Sequence, residues 1–266
     1  MQKEVDRVKS FGAWEIVSAK ELWQAKDKYK ERCSAGHIVT AYRLKVDADG
    51  DPKNPAITKK SRIAFADDKS QNAAFDSTFS GCADDITDRV ATAVGMRMQA
   101  QFDTCDVAGA YFHGTPTHPD DGGRAVFAEV PKYLHLFDPR YVTHDKHTGS
   151  KNYLRITGNM PGRKDAGVIW AKRYDEFLIN KCGMRQSAVD RRLFALVDSD
   201  GTLLAHVHVD DTRLTFTSDR MRAWFLKLWD SEFGEGITPD DKLINRPYDE
   251  DFVGIKRHVV DGSTTE

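Results

Sequence analysis

Hydrophobic and polar positions alternate along much of the C-terminal third of the chain. Over residues 203–209 apolar side chains occupy every second position, which predicts a half-buried β-strand. A second strand is predicted over residues 212–217, and a helix over residues 219–233. Only Asp210 and Asp211 separate the two strands. This part of the chain therefore predicts a tight hairpin followed by a helix.

Helical spacing is clearest in the segment that begins near residue 84. Apolar residues recur there at the spacing of a helix, and Asp84 or Asp85 can cap its start. These apolar residues are Ile86, Val90, Ala93, Val94 and Met98.

Helices and strands are mixed along the rest of the chain. Further helices are predicted over residues 1–10 and 166–181, and further strands over residues 13–17, 37–46, 59–66, 101–107, 126–130, 153–156, 193–197 and 252–258. The order lacks regular β-α-β alternation. It predicts an α+β fold with a mainly antiparallel sheet.

Length and composition indicate a globular protein. The 266 residues allow one large domain or two modest ones, and 40% apolar residues with five tryptophans can build a sizeable core. No stretch approaches the ~18 unbroken apolar residues of a membrane helix, and the charged N-terminus lacks the apolar run of a secretory signal. The four cysteines form no C-x-x-C pair. We therefore expect a soluble, intracellular and cytoplasmic protein without a membrane partner.

The formal net charge of −2 argues against a nucleic-acid partner, because such proteins usually carry a basic surface. Two segments are nevertheless basic. Residues 53–64 contain four Lys or Arg and no acid, and residues 151–185 contain eight Lys or Arg against three Asp or Glu. Charged runs are usually solvated faces, so these segments count only in combination with other signals.

Two adjacent carboxylates occupy the predicted hairpin turn. Tight hairpins favour Asn-Gly or Asp-Gly, because their turn residues need positive φ, whereas this turn carries Asp210 and Asp211. A local rule broken without structural benefit marks a candidate site. Taken alone, the pair also fits an acidic surface turn.

A second acid strengthens the functional interpretation. Asp106 ends a predicted strand and is followed by a small-residue turn. A carboxylate at a strand end, placed to meet the acidic hairpin, is what two-metal phosphoryl transfer requires. Mg²⁺ prefers a few carboxylates together with phosphate oxygens of the substrate.

The sequence here resembles the reverse transcriptases of copia-type retrotransposons. Residues 106–114, D-V-A-G-A-Y-F-H-G, resemble the first catalytic block of that family, D-V-x-x-A-F-L-x-G. Residues 208–211, H-V-D-D, resemble its Y-V-D-D block. Between them, residues 160–170, M-P-G-R-K-D-A-G-V-I-W, are similar to L-Y-G-L-K-Q-A-P-R-L-W.

Weaker blocks follow in the same order and extend the resemblance over roughly residues 5–258. They lie at residues 60–63, 126–131, 183–194 and 252–255. The resemblance implies reverse-transcriptase-like fingers and palm. Residues 1–82 and 115–158 would form the fingers, residues 83–114 and 159–259 the palm, and residues 260–266 a tail.

The implied activity is RNA-directed DNA polymerisation with two Mg²⁺ ions. Asp106 and Asp210 would ligate the metals, helped by the Val107 carbonyl, and Asp211 would be the third catalytic acid. Neighbouring strand residues point to opposite faces, so Asp210 and Asp211 are not expected to be equivalent. The implied partners are a primed RNA or DNA template and a dNTP.

The resemblance also implies a nucleotide pocket. Lys60 and Arg62 would hold the triphosphate, since guanidinium geometry suits phosphate. Tyr111 would stack under the incoming sugar, and Lys164 and Asp165 would border the pocket. Alternatively, Tyr111 is a core residue and the two cations protect an edge strand.

Four further residues are implied in primer–template contacts, and residues 252–255 would form a hairpin that grips the primer end. The four residues are Gly162, His208, Phe252 and Gly254.

Two departures from the family pattern keep a second interpretation open. His208 replaces a Tyr, and Asp165 replaces a Gln, where an acid would repel a triphosphate. The RNase H and integrase parts of the polyprotein are expected to be absent from this chain. In the second interpretation, the chain is an inactive retrotransposon remnant that keeps the palm and only binds nucleic acid.

A third interpretation is a zinc hydrolase. His206, His208 and Asp210 share one strand face, and H-V-H-V-D-D resembles the H-x-H-x-D-H signature of metallo-β-lactamase-like hydrolases. Zinc takes His and carboxylate ligands readily. The closing His of that signature is an Asp here, so this interpretation ranks third.

Overall fold

The structure is a computed structural model that describes residues 1–46, 57–67 and 81–234, and five short strand segments between residues 244 and 265. The elements in chain order are α1 (Gln2–Ser10), β1 (Trp14–Ser18), α2 (Ala19–Tyr29), β2 (Cys33–Val46), β3 (Ile57–Ala66), α3 (Asp85–Arg97), β4 (Gln101–Asp106), β5 (Ala125–Glu129), β6 (Asn152–Ile156), α4 (Ala166–Glu176), β7 (Arg185–Gln186), β8 (Leu193–Asp198), β9 (Gly201–His208), β10 (Asp211–Phe216), α5 (Asp219–Phe233), β11 (Ile244–Pro247), β12 (Asp251–Phe252), β13 (Ile255–Lys256), β14 (His258–Val260) and β15 (Ser263–Thr265).

The chain divides into two compact units, each with its own main sheet. The first unit comprises Met1–Thr78 and Gly114–Ile169, and the second comprises Phe79–His113 and Trp170–Glu266. Among the described strands, β2 and β5 run parallel and every other pair is antiparallel. The predicted α+β fold with mainly antiparallel sheets is thus confirmed.

The first unit is built on a five-stranded sheet of order β1-β6-β5-β2-β3. α2 packs on this sheet through Leu22 and Ala25, which join Phe127 in one buried cluster. The helix α2 was not among the predicted elements, although its sequence contains a capping signal. The Ser18 backbone N–H donates to Glu21 Oε1 over 3.2 Å, which fixes the start of the helix.

The second unit is built on a six-stranded sheet of order β11-β4-β10-β9-β8-β7. One face of this sheet packs against α4, α5 and a π-helical turn at Phe177–Lys181. The core between them is rich in aromatic rings, and its largest buried members are Trp170, Tyr174, Phe177, Phe194, Phe216, Phe225, Trp229 and Phe233.

α3 packs on the other face of the same sheet. Asp84 caps it, as predicted, and accepts from the Ile86 N–H over 2.7 Å. Its buried side is polar or small and consists of Asp88, Ala91, Thr92 and Gly95. The apolar residues at helical spacing, which ordinarily mark a buried face, are exposed instead.

The region after α5 differs from the single strand predicted over residues 252–258. Three short strands, β12, β13 and β14, occupy it. Phe252 pairs with Ile255, so β12 and β13 are antiparallel neighbours.

Candidate active site

The acidic hairpin turns one residue earlier than predicted. β9 ends at His208 and β10 begins at Asp211, and these two residues pair across the strands. Val209 and Asp210 are therefore the two turn residues, while Asp211 belongs to β10. Val209 has φ of 59°, whereas the φ of Asp210 is not positive. Positive φ at the first turn residue alone is the pattern of a type II′ turn.

A β-branched residue in the left-handed region is an outlier, and such strain is of order 1–3 kcal/mol. Two contacts hold this turn in place. Trp170 Nε1 donates to the Val209 carbonyl over 2.6 Å. The Val107 N–H donates to the Asp210 carbonyl over 3.3 Å. The buried Trp170 therefore ties the aromatic core directly to the turn.

Three polar residues stand in one row across the sheet. Asp211 pairs with His208 on β9 and with Asp106 on β4, so the β4 strand lies beside the hairpin, as predicted. Adjacent strands lie about 4.8 Å apart, which makes Asp106 and Asp211 direct neighbours on the same face. Asp106, Asp210 and Asp211 are all partly exposed. The row faces away from the aromatic core, because the alternate β10 residue Thr212 bonds Tyr174 in that core.

The donor chemistry of this row fits magnesium. Where side chains are described, no three His, Cys, Asp or Glu residues converge on one point to hold a metal ion. Mg²⁺, however, is usually held by one or two carboxylates, and waters and substrate phosphates complete its shell. Asp106 and Asp211 provide two neighbouring carboxylates, and Asp210 and the Val107 carbonyl lie at the adjacent turn.

The zinc interpretation fails at His206. Its ring is 2% exposed, and its Nδ1 and Nε2 lie 3.3 Å from Asp88 Oδ1 and 2.9 Å from Asp190 Oδ2. Both nitrogens are thus engaged within the unit. The predicted set of His206, His208 and Asp210 does not form a metal centre.

A buried polar network occupies the next row of the same face. Arg213 pairs across the strands with His206, and its Nη1 donates to Asp88 over 3.0 and 3.1 Å and to Thr92 Oγ1 over 2.7 Å. Burial would raise the pKa of Asp190. Hydrogen bonds from the Arg192 N–H and His206 outweigh it and hold that pKa below its ordinary value.

This network was not predicted from the sequence. A signal for it was present in the sequence. The alternation that predicted β9 and β10 also places His206 on the same face as His208, and Arg213 on the same face as Asp211.

In the first unit, the predicted triphosphate ligands lie on β3 together with an additional cation from β2. Lys60 pairs with Arg43, and Arg62 pairs with Ala41, so the three cations share one face of the β2–β3 hairpin. All three side chains are exposed. Within the described residues, none of the three forms an ion pair with an acid. Like charges directly opposite each other destabilise a hairpin.

Gly162 has a local structural role. Its φ is 92°, and a Cβ there would lie 1.9 Å from the Phe65 carbonyl oxygen. The Phe65 N–H also donates to the Pro161 carbonyl over 2.8 Å. Only glycine permits this close approach of the loop to β3.

Asp165 is bound by a neighbouring guanidinium. Arg163 donates to its carboxylate from Nε over 2.9 Å and from Nη2 over 2.8 Å. Burial would raise the pKa of Asp165, but Arg163 outweighs it and the pKa lies below its ordinary value. Asp165 was expected to repel a triphosphate, but Arg163 compensates the charge on which that expectation rested. Lys164 beside it is half-buried.

The remaining predicted contact residues fall in the second unit. Tyr111 is half-buried and packs against the aromatic core. His208 is half-buried at the end of β9. Phe252 lies in β12, and Gly254 lies outside the described residues.

Comparisons with known proteins give similarity in structure but not in sequence. No protein-family profile and no curated protein matches the sequence. Among solved structures, the chain is similar to the RNA-dependent RNA polymerase from bacteriophage phi12, with 11% identity and a TM-score of 0.41. The match covers 91% of this chain and 46% of that polymerase, so the chain spans about half its length. No helix within the described residues is long and apolar enough to span a membrane.

Proposed function

We propose that this chain is the fingers and palm of a copia-type RNA-directed DNA polymerase. One observation carries the proposal. The register sets Asp106 and Asp211 side by side, next to a turn in which Val209 holds positive φ and presents Asp210. Strained backbone persists where the surrounding structure over-determines it, and such positions cluster at functional sites.

Asp106, Asp210 and Asp211 would hold two Mg²⁺ ions, with the Val107 carbonyl as a further oxygen ligand. When bound, the ions activate the attacking oxygen and stabilise the leaving group. The chain's own contribution is positioning. Trp170 fixes the turn through the Val209 carbonyl, so the carboxylates are held before substrate arrives.

The β2–β3 hairpin supplies the phosphate-binding part of the proposal. Lys60 and Arg62 would bind the triphosphate, and Arg43 joins them because it shares their face. Tyr111 would stack under the sugar. Lys164 would border the pocket together with Asp165, whose charge Arg163 offsets.

Primer–template contacts are proposed for four residues, and a primed RNA or DNA strand and a dNTP are the proposed partners. The four residues are Gly162, His208, Phe252 and Gly254. RNase H and integrase would be supplied by other parts of the polyprotein.

Primer extension on an RNA template with Mg²⁺ and dNTPs tests the proposal. Asp210→Asn should abolish extension while primer–template binding stays intact, because Asn is nearly isosteric but neutral and a poor Mg²⁺ ligand. Asp200→Asn is the matched control, because Asp200 lies in the β8–β9 turn at the other end of β9. Equal extension by the wild type and Asp210→Asn would place the site elsewhere. A wild type that binds but never extends would establish the inactive remnant.

A further inference from the structure

The first unit contains a cavity of about 490 Å³ between α2, one face of its sheet and the loop at residues 115–119. From α2 the cavity is lined by Glu21, Ala25 and Tyr29, which are spaced four residues apart and therefore share one face of the helix. Pockets for small organic ligands have volumes of about 300–1,000 Å³. All of the lining residues belong to the first unit, whereas the acidic row belongs to the second.

The floor of the cavity is one row of the sheet. Arg155 on β6 pairs with Glu15 on β1 and with Phe127 on β5, so the three side chains point to the same face. A guanidinium group and an aromatic ring thus lie in neighbouring positions, and Tyr29 adds a second aromatic ring from α2. Nucleobases stack on aromatic rings and on guanidinium planes. These surfaces therefore suit a planar ligand.

The cationic groups of the wall are already matched by acids. Each guanidinium group that lines the cavity forms an ion pair with a carboxylate. The pairs are Arg155–Glu15 over 2.6 Å, Arg163–Asp165 over 2.8 Å and Arg124–Asp67 over 2.7 Å. An ionic ligand would have to displace one of these partners, so the cavity favours a neutral ligand. Guanidinium groups donate and carboxylates accept several hydrogen bonds each, and the edges of nucleobases present both donors and acceptors.

The loop that borders the cavity is tied to the end of α2. Tyr29 Oη donates to Asp120 Oδ1 over 2.9 Å, and Arg32 Nη1 donates to the Pro119 carbonyl over 3.0 Å. Lys30 has φ of 50°, which residues other than glycine rarely adopt. Such conformations persist where the surrounding structure imposes them, and they cluster at ligand sites. The wall formed by α2 and the loop is therefore fixed before a ligand binds.

We propose that this cavity binds a purine or pyrimidine base, carried by a free nucleoside or by an unpaired nucleic-acid strand. The base stacks against Tyr29 and Phe127, and its edge exchanges hydrogen bonds with Arg155 and Glu15. This site is independent of the proposed polymerase activity, and its occupancy is measured without Mg²⁺, primer or dNTP.

Isothermal titration calorimetry of the full chain with adenosine, guanosine, cytidine and uridine tests this proposal. These nucleosides are uncharged, and ribose 5-phosphate is the probe that lacks a base. At least one nucleoside should bind, and ribose 5-phosphate should not. Ala25→Leu should prevent nucleoside binding, because it places a larger side chain in the cavity.

Tyr29 tests the stacking contact. Tyr29→Leu should weaken nucleoside binding roughly tenfold, the order expected when one base–aromatic stack is lost. Tyr29→Phe keeps the ring and should bind like the wild type. Tyr42→Leu is the matched control, because Tyr42 is a 74% exposed tyrosine on β2 outside the cavity, and it should leave binding unchanged. Circular dichroism verifies that each variant folds.

Short unpaired oligonucleotides of the same bases separate the two sources of the base. If a base of the strand enters the cavity, Tyr29→Leu should weaken oligonucleotide binding and Tyr42→Leu should not. Oligonucleotide binding that is unchanged by Tyr29→Leu, together with weakened nucleoside binding, would assign the cavity to free nucleosides. The proposal is overturned if Tyr29→Leu changes neither, or if ribose 5-phosphate binds as tightly as the nucleosides.

Discussion

Two single residues adopt backbone conformations that most residue types disfavour, and both lie against close tertiary contacts. Val209 keeps φ of 59° in the acidic turn while Trp170 Nε1 binds its carbonyl. Gly162 adopts φ of 92°, which glycine tolerates, and the Phe65 backbone leaves no room for a Cβ at this position. In both cases the backbone conformation follows from tertiary contact rather than from local preference.

Substitution at Val209 measures the strain in the turn. Val209→Gly should be more stable than Val209→Ala by about 1 kcal/mol, because a Cβ disfavours the left-handed region and glycine lacks one. The alanine variant accounts for the lost packing of the valine side chain. Urea unfolding of both variants gives the difference, and equal stabilities would show that the turn is unstrained.

His113 should make stability depend on pH. Burial lowers its pKa to about 4, and a hydrogen bond with the Ala108 backbone opposes this to a lesser extent. The lowered pKa means that the folded state favours the neutral ring. The contribution of His113 to the free energy of unfolding is therefore present above about pH 6.5 and is lost as the pH falls toward 4. The loss amounts to about 3 kcal/mol, at about 1.4 kcal/mol per pH unit.

His113→Phe is the variant that isolates this contribution. The ring of His113 packs edge-on to Phe233 with centroids 5.4 Å apart, so an aromatic replacement keeps the contact. Between pH 7 and pH 4, urea unfolding should show a smaller loss of stability for the variant than for the wild type. Parallel curves would contradict the assignment to His113.

On the face that carries Asp106 and Asp211, elements are joined by polar contacts rather than by apolar packing. α3, β9 and β10 meet at Asp88, His206 and Arg213. These contacts determine which side of α3 turns inward. They also lie one row behind Asp106 and Asp211 on the same face, so they stiffen the strands that carry the carboxylates.

Asp88→Ala should destabilise the fold by about 3–5 kcal/mol, because Arg213 loses a buried counter-charge. Asp85→Ala is the matched control on the same helix. Asp85 pairs with Arg89 at the surface over 3.3 Å, and such exposed pairs contribute at most about 1 kcal/mol. Similar losses for both variants in denaturant unfolding would argue against the buried network.

At the scale of the whole molecule, charge is distributed unevenly. The net charge is −2, yet Arg43, Lys60 and Arg62 share one exposed face without an acidic partner among the described residues. Local charge density, rather than net charge, decides whether a phosphate backbone is attracted. The proposed nucleic-acid partner is therefore compatible with an acidic protein.

Replacing these three cations with Gln should weaken primer–template binding and flatten its salt dependence. Each neutralised phosphate contributes about 0.9 to the slope of log K against log salt, so the slope should fall by roughly 2–3. Fluorescence anisotropy at several salt concentrations measures it. A control variant replaces three exposed lysines elsewhere in the first unit. These are Lys20, Lys132 and Lys146. An equal change in the control would indicate diffuse attraction instead of a site on the hairpin.

The sequence by itself determined the hydrophobic period of most elements, and it was enough to single out the acidic residues of the candidate site. The alternation of apolar and polar residues located β9 and β10. The strand end at Asp106 and the acidic pair Asp210 and Asp211 could be recognised because acidic residues there depart from the residue types that such positions usually favour. Local signals suffice for such features, since period and turn chemistry act over a few residues.

Tertiary structure alone decided which side of an element is buried and which charges are neutralised. The apolar residues of α3 face outward because Asp88 meets Arg213, a residue 125 positions further along the chain. Asp165 carries a charge that Arg163 offsets through a loop conformation that Gly162 permits. The hairpin turned at Val209 because cross-strand pairing and the Trp170 contact set its register. Each outcome depends on contacts between residues distant in sequence or on a specific backbone conformation, and the free energy of those contacts exceeds the local preference that a sequence pattern records.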